Sequence, residues 1–150
     1  MARGFNEYFY PEIEKHPDLY ESVKPIVEKL NLQQNCVIHG DFHFENVVGK
    51  NGEYKVIDWT NGQLGDKRYD FAWSSLLINV YGGQGYSAVF CSEYLKVIPL
   101  NDDEIKLAEA LACIRWVLLN RSDQVPIRDA TIKRVKHIMC TNGYLGSVRL

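Results

Sequence analysis

His39-Gly40-Asp41-Phe42-His43-Phe44-Glu45-Asn46 runs directly into Val47-Val48-Gly49-Lys50-Asn51-Gly52-Glu53-Tyr54-Lys55-Val56-Ile57-Asp58-Trp59, and the Asn-Gly pair near the middle dictates what this part of the chain can become. Asn-Gly between two short apolar-leaning runs is the strongest local signal for a two-residue hairpin, because both central residues of a type I′ turn need positive φ. With Asn51 and Gly52 as the turn residues, Asn46 faces Ile57 and lies beside Asp58. The turn thus predicts two oxygen donors at the mouth of one hairpin. Cys36-Val37-Ile38 reads as a short apolar strand entering His39, which makes residues 39–46 a loop between strands.

Those donors suit a particular chemistry. Magnesium takes hard oxygen ligands, commonly one or two carboxylates with waters and substrate phosphates, so the amide of Asn46 and the carboxylate of Asp58 form a reasonable pair. Asp41 sits on the loop ahead of Asn46, where its carboxylate can reach a substrate hydroxyl without chelating the metal. A base, an asparagine and a second aspartate in that order are what phosphoryl transfer requires. Read alone, each has a plainer explanation: Asp41 and Asp66 as turn or cap residues, Asp70 as a helix cap, and His43 as a ring bonded to a backbone carbonyl between two phenylalanines.

The ordered set His39-Gly40-Asp41-x-His43-x-x-Asn46, then Ile57-Asp58-Trp59, then Gly65-Asp66-x-x-x-Asp70-Phe71-Ala72, resembles the aminoglycoside phosphotransferase and choline kinase family, relatives of the protein kinases. The resemblance implies Asp41 as catalytic base, Asn46 and Asp58 as Mg2+ ligands, and ATP or GTP as phosphate donor. It also implies that Asp70 supports the catalytic loop from the following helix and that His39 braces the loop through its imidazole, with His43 alongside. Phe44-Glu45 departs from the family pattern by placing a carboxylate next to the metal ligand. Trp59 is expected to pack beneath the metal site.

The family's nucleotide clamp is a glycine-rich strand-turn-strand, a strand lysine and a helix glutamate. None of these is recognisable before His39, so the resemblance covers the C-terminal lobe only. The expected fold is α+β and mainly helical, a kinase-like C-lobe in one domain over residues 1–150, with a small β-hairpin carrying the catalytic and metal-binding loops. Such a lobe is expected to be inactive alone. Its surface, normally covered by an N-lobe, would favour a homodimer. Gly82-Gly83-Gln84-Gly85 is not a phosphate loop, since no Lys-Ser or Lys-Thr follows it; it reads as a connection between helices.

Elsewhere the chain reads as helices. Asp18-Leu19-Tyr20-Glu21 looks like a capping box opening a helix with Leu19, Val23, Ile26, Val27 and Leu30 on one face and Pro25 inside it. Tyr69 to Tyr81, Tyr86 to Val97, and a helix opened by Asn101-Asp102-Asp103-Glu104 and running to Asn120 follow. Pro126 suits the first turn of a last helix ending near Cys140. Phe5, Tyr8, Phe9 and Tyr10 are expected to pack together.

At 150 residues, 46% hydrophobic, the chain can bury one sizeable core. Seventeen basic against 19 acidic residues argue against a nucleic-acid partner, and the basic cluster Lys133-Arg134 with Lys136-His137 reads as a solvated helix face. Cys36, Cys91, Cys113 and Cys140 are scattered without close pairs, and residues 1–5 lack the apolar stretch of a signal peptide. Ala108 to Leu119, the most apolar later segment, is too short to span a bilayer. These features predict a cytoplasmic protein with no membrane association. A small-molecule hydroxyl is the expected substrate; its identity, whether aminoglycoside, choline-like amine, sugar or amino alcohol, has no readable code. Two other readings stand beside this one. The alternation His39-x-Asp41-x-His43-x-Glu45 suits a metal-dependent hydrolase, and a lobe without its clamp suits a non-catalytic binding or interaction protein.

Overall fold

The computed structural model describes residues 8–150, so Phe5 and the N-terminal pentapeptide lie outside the described residues. The fold is α+β and mainly helical. Its first helix, α1 (Pro17–Leu30), buries Leu19, Ser22, Val23, Ile26, Val27 and Leu30, the face its periodicity marks. Its start differs from the expected capping box: His16 occupies the N-cap without a side-chain bond, and Pro17 takes the first turn, where its missing N–H costs nothing. Asp18 instead accepts two bonds from the Arg121 guanidinium, at 2.8 and 2.6 Å. A bidentate arginine outcompetes a backbone N–H for that carboxylate. Pro25 lies inside α1 without ending it.

Strand β1 (Cys36–Ile38) leads into the catalytic-type loop, and the hairpin β2 (Val47–Lys50) and β3 (Glu53–Val56) follows it. The register is the expected one, with Val47 opposite Val56 and Lys50 opposite Glu53, and the Ile57 N–H donates to the Asn46 carbonyl at 2.9 Å. Asn51 and Gly52 have φ of 54° and 84°, as a type I′ turn demands. A strand without a sequence signal, β4 (Gln63–Gly65), pairs antiparallel with β1, Val37 facing Leu64.

Helix α2 (Lys67–Leu77) begins two residues before the expected Tyr69 because Asp66, not Asp70, is its cap: the Asp66 carboxylate accepts the Arg68 N–H at 2.8 Å. After Leu77 the chain widens into a π turn over Ile78–Gly82, where the Gly83 N–H reaches the Ile78 carbonyl at 3.0 Å, and so the expected single helix to Tyr81 ends in a different turn. Helix α3 (Gln84–Val97) then starts from Gly83, whose φ is 113°.

Helix α4 (Asp102–Arg121) opens with a reciprocal capping box between Asn101 and Glu104. Leu107, Ala108, Ala110, Leu111, Cys113, Ile114 and Trp116 are all buried, so this helix is apolar nearly all round and forms the axis of the core. Helices α1 and α2 pack against it, and the alanines allow a close approach. Phe9 and Tyr10 are buried in the same core and Tyr10 donates to the Leu111 carbonyl at 2.9 Å, whereas Tyr8 is exposed. The last helix, α5 (Thr131–Thr141), starts later than Pro126 predicted: residues 126–130 stay irregular, and the Arg128 N–H bonds the Thr131 hydroxyl at 2.9 Å. Within its basic cluster, Lys133, Lys136 and His137 are exposed, while Arg134 is partly buried and donates to the Val80 carbonyl at 2.8 Å. No helix among the described residues is long and apolar enough to cross a membrane.

Candidate active site

The loop after β1 is held from two sides. From the first turn of α2, the Asp70 carboxylate accepts the backbone N–H of His39 at 3.1 Å and of Gly40 at 2.8 Å. From α4, Arg115 donates to the Gly40 carbonyl at 3.3 Å. Gly40 has φ of 78°, and a Cβ there would sit 2.7 Å from the Asn61 carbonyl oxygen, so both conformation and space call for glycine. The buried His39 ring accepts the Asp41 N–H on Nδ1 at 3.3 Å, which assigns the proton to Nε2, and Nε2 donates to the Ile57 carbonyl at 3.0 Å. That bond ties the loop to the end of the hairpin.

Asp41 carries its carboxylate between two helices and the loop. Trp73 Nε1 donates to its Oδ1 at 3.3 Å, and His43 Nε2 lies 3.9 Å from its Oδ2. Asn46 is buried, and its Nδ2 donates to the Asp41 carbonyl at 2.9 Å and lies 3.4 Å from His43 Nε2. The structure therefore brings Asp41, His43 and Asn46 together, and leaves Asn46 Oδ1 as the amide atom able to meet a cation.

Asp58 is placed differently. It is exposed, adopts the left-handed region at φ 57°, and its Oδ1 accepts the Thr60 hydroxyl at 2.6 Å. That hydroxyl holds its carboxyl below the usual aspartate range against a desolvation that raises it, with further help from the Thr60 backbone. Trp59 does not pack beneath this group. It is half exposed and leans on the His39 ring at 4.7 Å between centroids. An amide oxygen and an ionised carboxylate are hard donors, so Asn46 and Asp58 fit magnesium by type. The imidazole–carboxylate alternation fits a transition metal poorly, because both nitrogens of His39 are already engaged. Among the described residues no group of three or more His, Cys, Asp or Glu is placed to hold a metal.

A cavity of about 480 Å³ opens beside Asp41. The loop contributes Asp41, His43, Phe44 and Glu45; α2 and the π turn contribute Trp73, Leu77, Ile78 and Tyr81. The far wall comes from Arg115 and Leu119 of α4 and from residues 124–126 with Arg128. Asp41 lines this cavity, whereas Asn46 and Asp58 are not among its lining residues.

Several residues of this cavity are not singled out by the sequence motifs. Trp73 reads only as a residue available for burial. Arg115 is the exception that carried a signal: a cation inside the apolar run Ala108 to Leu119 has to find partners or a function. It stacks on the Trp73 ring at 4.0 Å and on Phe9 at 4.8 Å. Arg128 lies over Tyr81 at 5.4 Å, with Nη2 3.9 Å from Glu45.

A family model described as "Phosphotransferase enzyme family" matches residues 4–97, from before the first described residue to the end of α3. No curated protein and no solved structure matches the chain.

Proposed function

The chain belongs to the phosphotransferase enzyme family, and from that premise we propose that it serves the ATP-dependent, magnesium-assisted phosphorylation of a hydroxyl on a small molecule. One observation carries the reading: the Asp41 carboxylate is fixed at the wall of a cavity of about 480 Å³ by the Trp73 indole, on a loop that Asp70 clamps.

The acceptor hydroxyl enters the cavity and gives its proton to Asp41 as its oxygen bonds to the γ-phosphorus of ATP, whose bond to the β,γ-bridging oxygen breaks to release ADP. Trp73 already donates to Oδ1, which leaves Oδ2 as the less engaged oxygen to receive the proton. His39 and Asp70 keep the loop in register with the hairpin and with α2, and Asn46 locks the backbone of the base. Asn46 Oδ1 and Asp58 would hold the magnesium, which when bound supplies charge neutralisation on the phosphates.

Among residues 8–38 no glycine-rich strand-turn-strand occurs, so turnover by this chain alone is expected to be low. Val37 and Leu64 of the β1–β4 pair, Tyr54 of the hairpin, and Ile57 and Trp59 just after it are exposed. Burying them is the reason to expect self-association, read by light scattering over a concentration series. The function is tested by following phosphate transfer from labelled ATP with Asp41→Asn beside the unchanged sequence, both in the present chain and in a version extended upstream in its gene. Loss of about 10²- to 10⁴-fold in turnover with unchanged thermal unfolding is expected. Full turnover by D41N would exclude Asp41 as the base.

A further inference from the structure

We propose that the cavity beside Asp41 is built for an uncharged ring alcohol, such as a glycoside or aryl alcohol, and against polycationic amines. The inference rests on the phosphotransferase reading and names the acceptor class of the same site.

The charges around the cavity cancel. Asp41 and Glu45 supply two carboxylates, and Arg115 and Arg128 supply two guanidiniums, with His43 also in the lining. Arg115 is held in place: it is buried, donates to the Gly40 carbonyl and sits over the Trp73 ring with Cζ 4.0 Å from its centroid. An ammonium group entering this space meets two guanidiniums as well as two carboxylates, so the lining offers a polycation no net anionic field to draw it in. Glu45 and Arg128, both exposed, bring opposite charges within 3.9 Å of each other, so this part of the lining carries no one-signed patch.

The remaining surface suits a ring. Leu77, Ile78, Tyr81 and Val125 form an apolar floor and side, while Asn61 and Gln124 offer polar atoms to ring hydroxyls. A volume of about 480 Å³ falls in the range that holds a compact ligand of one or two rings. Arg115, Leu119, Gln124 and Arg128 lie beyond the segment 4–97 that the family model matches.

The test is a binding measurement on the full chain, without nucleotide or metal, comparing phenyl β-D-glucoside with kanamycin by calorimetry and ligand-observed NMR. Saturable binding of the glucoside, about tenfold or more tighter than kanamycin at physiological salt, is expected. Arg128→Glu exchanges a rim cation for an anion and should raise the ratio of kanamycin to glucoside affinity about tenfold. Leu119→Trp, which fills the space from its edge, should weaken the glucoside. Kanamycin binding as tightly as the glucoside, no saturable glucoside binding, or an affinity ratio unmoved by R128E would each overturn the proposal. The two readings separate cleanly. Glucoside that binds but is never phosphorylated, even by the upstream-extended version with ATP and magnesium, sinks the enzyme and leaves the site; kanamycin that binds tighter and is phosphorylated does the reverse.

Discussion

Trp73 donates its indole N–H to the Asp41 carboxylate at 3.3 Å, and Asp70, three residues earlier on the same helix, accepts from the backbone of His39 and Gly40. Residues at i and i+3 share a helix face. One face of α2 therefore sets both the path of the loop and the rotamer of its carboxylate, and Arg115 stacked on Trp73 fixes that face against α4. The position of the Asp41 carboxylate is a property of helix packing as much as of the loop itself.

Trp73→Phe keeps a ring under Arg115 and removes the donor to Asp41. A hydrogen bond to a partly exposed carboxylate is worth about 1 kcal/mol, so turnover should fall about three- to tenfold with little change in KM. Steady-state kinetics over a range of acceptor concentrations check this; a rise in KM at constant kcat would mean that the indole binds substrate rather than orients the base.

Asp70→Ala leaves two loop amides without their acceptor. Local stability of the loop should drop by about 1–3 kcal/mol, and the His39 and Gly40 amides should exchange with deuterium about tenfold faster or more. Amides in the middle of α4 should not change. Unaltered exchange at His39 and Gly40 would show that the loop holds itself.

Asp66 governs an acid-sensitive part of the stability. Burial alone would raise its carboxyl, but the Arg68 side chain at 2.6 Å and the backbone N–H groups of Gln33 and Arg68 outweigh it and bring it below the usual range. A carboxyl whose pKa is lower folded than unfolded contributes stability that is fully present above the unfolded value, about 3.9, and is lost as pH falls through it toward the folded value. Asp18, held down chiefly by the Arg121 hydrogen bonds, adds to the loss in the same direction. Urea melts from pH 7 down to pH 3 should show that decline, and Asp66→Asn should flatten part of it while lowering stability at pH 7 by about 1–3 kcal/mol.

Much of this site is legible in the chain because its signals are local. Asn51-Gly52 fixes a hairpin register by turn chemistry alone, which is why Val47 to Val56 and the Asn46–Ile57 contact follow without tertiary information. The capping box at Asn101 and Glu104 is equally local. The start of α1 misleads because Arg121, far along the chain, claims Asp18. Strand β4 is three residues long and gains its identity only by pairing with β1. The cavity is hidden for the same reason: Trp73, Arg115 and Arg128 meet across three separate segments, and only Arg115, a charge in an apolar helix, hints at it.

Gly40→Ala should damage the loop more than the small change in side chain suggests. At φ 78° an alanine is strained, and its Cβ would approach the Asn61 carbonyl to 2.7 Å, a backbone atom that cannot rotate away. Relief requires the loop to shift from the 59–62 turn, which pulls on the Asp70 and Arg115 bonds to Gly40. The cost of left-handed strain with such a clash is about 1–3 kcal/mol, and because the shifted segment carries Asp41, activity should fall further than stability does. Thermal melts paired with turnover measure both; an alanine variant that retains full turnover and melting temperature would mean that the loop has room the contact with Asn61 denies.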